Sequence, residues 1–194
     1  MNNKQLIISF IAIMFSSQIF SQKRVMLYID YGFMFGLQEK FDDFTLSRND
    51  YKMSGNSLHL TALYPLSENI SVGAGMGLDR YEHPGYNTMP FFATAHISPI
   101  KTNHDIYAFS NIGYSIGGNT FAKGAMWDIG IGYKWMIKPK FGITFKLGYN
   151  LKSTTATNSS DIASDTSIAE FEIQNIDNIN HTRHSIIIGT GIIF

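Results

Sequence analysis

The sequence predicts an all-β protein, an eight-stranded antiparallel up-and-down transmembrane β-barrel preceded by a cleavable signal peptide. Three observations predict it. Apolar side chains recur with period two from residue 25 onward, the period of a strand with one buried and one exposed face. The connections between these runs alternate short and long. The glycines within the runs all fall on the polar face.

The chain has 194 residues, and its 15 basic and 15 acidic side chains balance. That argues against nucleic-acid binding and against a polybasic membrane-surface protein. The absence of cysteine excludes disulfides, thiolate metal sites and a lipid-anchored cysteine. Residues 1–21 read as a secretory signal: a short basic start, MNNK, an apolar core from Leu6 to Phe15, and Ile19 and Ser21 at the −3 and −1 positions of a cleavage site. The mature domain then spans residues 22–194. The apolar core is too short to cross a bilayer as a helix, and no later apolar stretch is long enough.

Taken in order, LYIDYGFMFGL (27–37) sets Leu27, Ile29, Tyr31, Phe33, Phe35 and Leu37 against Asp30, Gly32 and Gly36. LHLTALYPL (58–66) sets Leu58, Leu60, Ala62 and Tyr64 against His59 and Thr61, and NISVGAGMGLDRY (69–81) sets Ile70, Val72, Met76 and Leu78 against three glycines and Asp79. MPFFATAHIS (89–98) is weaker, with Phe91, Ala93 and Ile97 against Thr94, His96 and Ser98. IYAFSNIGYSIG (106–117) and WDIGIGYKWMI (127–137) continue the pattern, the second with Trp127, Ile131 and Trp135 against Asp128, Gly130 and Lys134. FGITFKLGYNL (141–151) places Lys146 and Gly148 opposite Phe145 and Leu147, and HSIIIGTGIIF ends the chain. Each strand is expected to be about ten residues long, enough to span a bilayer when tilted.

The joints at 66–69, 99–105 and 138–140 are short. Those at 38–53 and 153–183 are long, and the second is polar and biased in composition, so both are expected to be loops. Strict alternation puts all the short turns at one end of an antiparallel meander.

Alternation alone does not say which face points inward. Size decides. The lumen of eight strands holds only modest side chains, so it cannot take two Trp together with the Tyr, Phe, Ile and Leu of the apolar set. Strand glycine weakens a solvent-facing sheet, whereas a narrow lumen needs positions without a side chain. The glycine-rich polar face therefore points in and the apolar face points at lipid. Tyr64, Trp135, Phe141 and Phe194 then lie near the short-turn end, and Phe91, Tyr114, Trp127 and Tyr149 near the other, as two interfacial belts.

With its signal, eight alternating strands and terminal Phe194, the chain resembles small bacterial outer-membrane β-barrel proteins of the OmpA-transmembrane or OmpX type. The resemblance implies short periplasmic turns, four outward loops and a likeness of Ile192 and Phe194, with Ile186 and Ile188 before them, to the signal read by the barrel-assembly machinery; Thr190 departs from it. It implies outer-membrane lipid and lipopolysaccharide as surroundings and a monomer without a cofactor.

The inward face carries Asp30, His59, Asp79, Asp128, Lys134 and Lys146, with Lys152 toward the outer rim. Charges in a narrow lumen must pair or be hydrated, so these are expected to form a polar network in place of an apolar core, or else a narrow ion path. His96 and Ser98 share one face, and some eight-stranded lipid A deacylases look similar in carrying a His-x-Ser pair. That chemistry needs hydrogen-bond reach and an acidic partner, and no carboxylate suggests itself. His181 and His184 have spacing compatible with a metal but lack further ligands. Arg80 falls on the lipid face near the outer rim, within snorkelling reach of headgroup phosphates. GAGMG (73–77) is no phosphate loop, since its glycines follow strand period and no helix follows. The function expected is non-enzymatic, with the long loops meeting a surface or envelope partner.

Overall fold

The computed structural model describes residues 25–41, 44–49, 52–82, 85–100, 104–117, 121–156 and 179–194. The expected signal at 1–21 lies outside them. The described residues form β1 (Met26–Phe41), β2 (Thr45–Ser47), β3 (Ser54–Pro65), β4 (Ile70–Glu82), β5 (Tyr86–Ile97), β6 (Ile106–Ile116), β7 (Lys123–Lys138), β8 (Phe141–Ala156) and β9 (Ile179–Ile193). Each long strand pairs antiparallel with the next, and β1 pairs with β9, which closes an eight-stranded barrel. Closure leaves no open edge along the wall, as a bilayer demands of every backbone polar group. Phe194 completes the seam by exchanging both backbone hydrogen bonds with Leu27, at 2.8 and 3.0 Å.

The period-two pattern becomes a two-faced wall. Asp30, His59, Asp79, Asn111, Asp128 and Asn150 are buried, whereas their outward neighbours stay open, Ile112 at 64% and Ile129 at 45%. Bulky apolar side chains line the outside of every strand, where lipid solvates them and water would not. An apolar-filled soluble barrel would show the opposite arrangement.

Several strands run further toward the long-loop end than the expected ten residues. β1, β7 and β8 each have 16 residues, and β6 has 11. The segment 153–183 is a loop only in part, since Ser153 pairs with Thr182, Thr154 with His181 and Thr155 with Asn180. Residues 157–178 lie outside the described residues. The segment 38–53 is likewise partly paired: β2 folds back on β1, setting Glu39 opposite Leu46.

A bulge between Gly36 and Gln38 shifts the β1 register. It reverses the parity of everything above it, so Glu39 and Phe41 turn inward instead of Gln38 and Lys40.

The glycines on the inner face make room for rings on the neighbouring strand. Gly132 is paired with Tyr107 and Gly75 with Phe92, and a Cβ at either position would collide with that ring. Gly130 lies against Phe109, whose Cε1 would stand 2.9 Å from a Cβ there. Gly55 and Gly124 also face inward. The lumen therefore takes aromatics as well as charges, fitted ring against glycine.

Candidate functional site

The inward residues sort into three levels along the barrel axis. At the short-turn end the lumen is apolar and aromatic. Tyr28, Leu63 and Ile193 pack together, His96 stacks on Tyr107 with 4.7 Å between ring centroids, and Tyr28 meets His96 edge-on at 5.6 Å.

The middle level is charged. Asp30 accepts from Lys146 Nζ at 2.6 Å and from Thr144 Oγ1 at 3.0 Å. It reaches from β1 to β8 across β9, where the intervening inward positions are Gly189 and Gly191. Asp79 meets His59 Nε2 at 2.8 Å and accepts from Lys152 Nζ at 2.9 Å and Thr88 Oγ1 at 3.3 Å. Asp128 takes two amides, Asn150 at 2.6 Å and Asn111 at 3.3 Å, and Asn111 in turn accepts from Thr94 at 2.6 Å. Each carboxylate is thus held by several donors, as burial of such a group requires.

Lys152, cross-strand from Arg183, is completely buried and also donates to Ser115 at 3.2 Å. Lys134 stands apart from the three carboxylates. It is half-buried, with Nζ 5.5 Å from the Tyr107 ring centroid.

The upper level contains three residues that sequence reasoning left in loops. Arg183 and Glu39 are wholly buried, and Arg183 Nη1 donates to Glu39 Oε2 at 3.2 Å. The other end of the guanidinium crosses the lumen to the backbone carbonyls of Ser54, at 2.9 Å, and Glu82, at 3.4 Å. It lies over the Tyr81 ring at 5.0 Å. His181 stands 3.6 Å from Glu39 and pairs with Thr154. One arginine therefore ties β9 to β1, β3 and β4 across the mouth. The parity of the terminal run, carried back from Ile193, points Arg183 and His181 inward, whereas Glu39 turns inward only through the bulge at Gly36, which periodicity does not reveal.

Between the middle groups lies a cavity of about 30 Å³, lined by Asp30, Ser57, His59, Asn111, Asp128 and Lys146 among others. That is room for roughly one or two water molecules.

The other candidates separate in space. Ser98 Oγ donates to the His104 carbonyl at 3.3 Å, while the His96 ring is held between Tyr28 and Tyr107. His181 faces inward but His184 does not, being bonded to the Tyr149 hydroxyl, so they cannot share a metal. Among the described residues no group of three or more His, Asp or Glu is placed to hold a metal ion. Ile186, Ile188, Ile192 and Phe194 form one outward column, with Thr190 in it, while Ile187 and Ile193 turn inward.

No family model matches the chain, and no curated protein matches it. Solved structures do. Outer membrane protein AlkL, determined by solid-state NMR in DMPC bilayers, is 9% identical with a TM-score of 0.46, over 91% of this chain and 93% of that one. Neisserial surface protein A is 12% identical with a TM-score of 0.45, over 85% and 95%. A de novo designed transmembrane β-barrel is 10% identical with a TM-score of 0.37, over 87% and 99%. By the closure of its own strands and the apolar outer face they present, the chain is an eight-stranded antiparallel transmembrane barrel.

Proposed function

We propose that this protein is a monomeric bacterial outer-membrane barrel, exported by residues 1–21, that acts without catalysis through its long-loop end. The carrying observation is the packing of the lumen among the described residues: aromatics below, a hydrogen-bonded charge network at mid-depth and Arg183 across the mouth. Such an interior is a core and not a conduit, so function falls to the segments the scaffold displays, 38–53 and 153–183. Asp30, His59, Asp79, Asp128 and Lys146 serve the scaffold. Ile192 and Phe194 serve recognition by the barrel-assembly machinery.

Replacing residues 157–178 with a short Gly-Ser link tests this. The expected result is a protein that still resists SDS until boiled, in cells that lose matrix adhesion or self-aggregation. An unchanged phenotype, combined with its loss in Lys146→Ala, would favour an ion path instead. The deacylase reading has its own test. A change in lipid A acyl mass on expression, abolished by His96→Ala, would establish it against this proposal.

A further inference from the structure

On β4 the outward column Ile70, Val72, Ala74, Met76 and Leu78 is apolar throughout, and the next outward residue is Arg80, its side chain 72% exposed. Its cross-strand neighbours are both amides, Asn56 on β3 and Asn87 on β5. Both side chains share the outer face with it. The Asn56 oxygen is occupied by the Tyr31 hydroxyl at 2.6 Å, which leaves the amide NH₂ as the end that can donate outward. This row thus sets one guanidinium and two amides where the outward column of β4 stops being apolar. Arg48 lies at the same end of the wall, 5.3 Å from the centre of the outward Phe35 ring, with its Nη1 already donating to the Gly36 and Met53 carbonyls.

We propose that Arg80, flanked by Asn56 and Asn87, binds the phosphate of an anionic lipid headgroup at the long-loop rim. The proposal rests on the membrane reading above and names a contact within it. Charge complementarity carries it. A guanidinium matches phosphate oxygens with paired donors, and at headgroup depth it meets them without leaving the apolar wall its stem covers. Glu82, directly above, competes for the same guanidinium. Its Oε1 lies 3.8 Å from Arg80 Nε, beyond hydrogen-bond length, and its other oxygen accepts from Ser54 at 3.2 Å. The carboxylate tempers the site without closing it.

Glu82 gives the test two opposite arms. The wild-type chain, Arg80→Gln and Glu82→Gln are refolded in detergent, and binding of lipid A and of its dephosphorylated form is measured by native mass spectrometry. Arg80→Gln is expected to bind lipid A roughly two- to fivefold more weakly, and Glu82→Gln more tightly by a similar factor, as for exposed ion pairs. The dephosphorylated lipid should not distinguish the three. Variants that all resist SDS until boiled yet bind lipid A equally would overturn the site and leave the barrel reading intact. A wild-type chain that never gains SDS resistance would bring down the membrane reading, and this proposal with it.

Discussion

Exchanging Arg183 for methionine removes the strut across the upper lumen while keeping most of its volume. The loss is that of a fully buried ion pair, since Arg183 and Glu39 side chains both have no exposure. Breaking such a pair from one side leaves an uncompensated charge and costs about 3–5 kcal/mol. The Ser54 and Glu82 carbonyls lose their donor as well. Glu39→Gln should cost a similar amount, because it strands the guanidinium. The double variant removes both charges, so it should be more stable than the sum of the singles implies, by at least about 2 kcal/mol of coupling. Urea unfolding of the refolded chain in detergent, followed by the mobility shift on SDS gels, measures all four corners of this cycle. Coupling under about 0.5 kcal/mol, or single variants as stable as the parent, would refute a buried pair at the mouth and with it the inward turn of Glu39.

Further substitutions probe other levels of the barrel. Gly132→Val drives a side chain into the Tyr107 ring and should cost about 1–3 kcal/mol in the same unfolding assay, with Tyr107→Ala restoring part of it. Leu147→Arg puts a cation on the outer face near mid-span and should cost about 2–4 kcal/mol in lipid, whereas Ser153→Arg at the upper end of β8 should cost about 1 kcal/mol or less. Asp30→Asn should weaken the tie from β1 to Lys146 and Thr144 on β8 and speed unfolding of the folded chain.

Most of the architecture was legible because a barrel strand writes its orientation at every second residue. The inward placement of Asp30, His59, Asp79, Asp128 and Lys146 follows from that parity alone, as does the outward column ending at Phe194. The structure pairs Asp30 with Lys146 and His59 with Asp79, whereas Asp128 is held by two asparagines and Lys134 stands apart at the lower mouth. Parity fails wherever the register shifts. One bulge at Gly36/Gln38 turned Glu39 inward, and because 153–183 reads as polar and low in complexity, His181 and Arg183 looked like loop residues when they belong to β9. Lys152 is covered because β8 continues four residues past it to Ala156. The glycine rule was readable as a shortage of space. Which rings fill that space was not, because the fit of Tyr107 against Gly132 or Phe92 against Gly75 depends on pairing register and not on either strand's own sequence.

The central claim is that the apolar face meets lipid, and the two tryptophans report on it directly. Trp127 and Trp135 both point outward on β7, eight residues apart, which is roughly 20 Å along the bilayer normal for a strand tilted near 40°. Depth-dependent quenching of their fluorescence by bromine-labelled lipids would locate each ring. Strong quenching of both, placing the two on either side of the bilayer centre at about 10 Å, is the result this structure predicts. Fluorescence indifferent to the brominated chains would mean that the apolar face does not meet lipid, and that inside and outside must be exchanged.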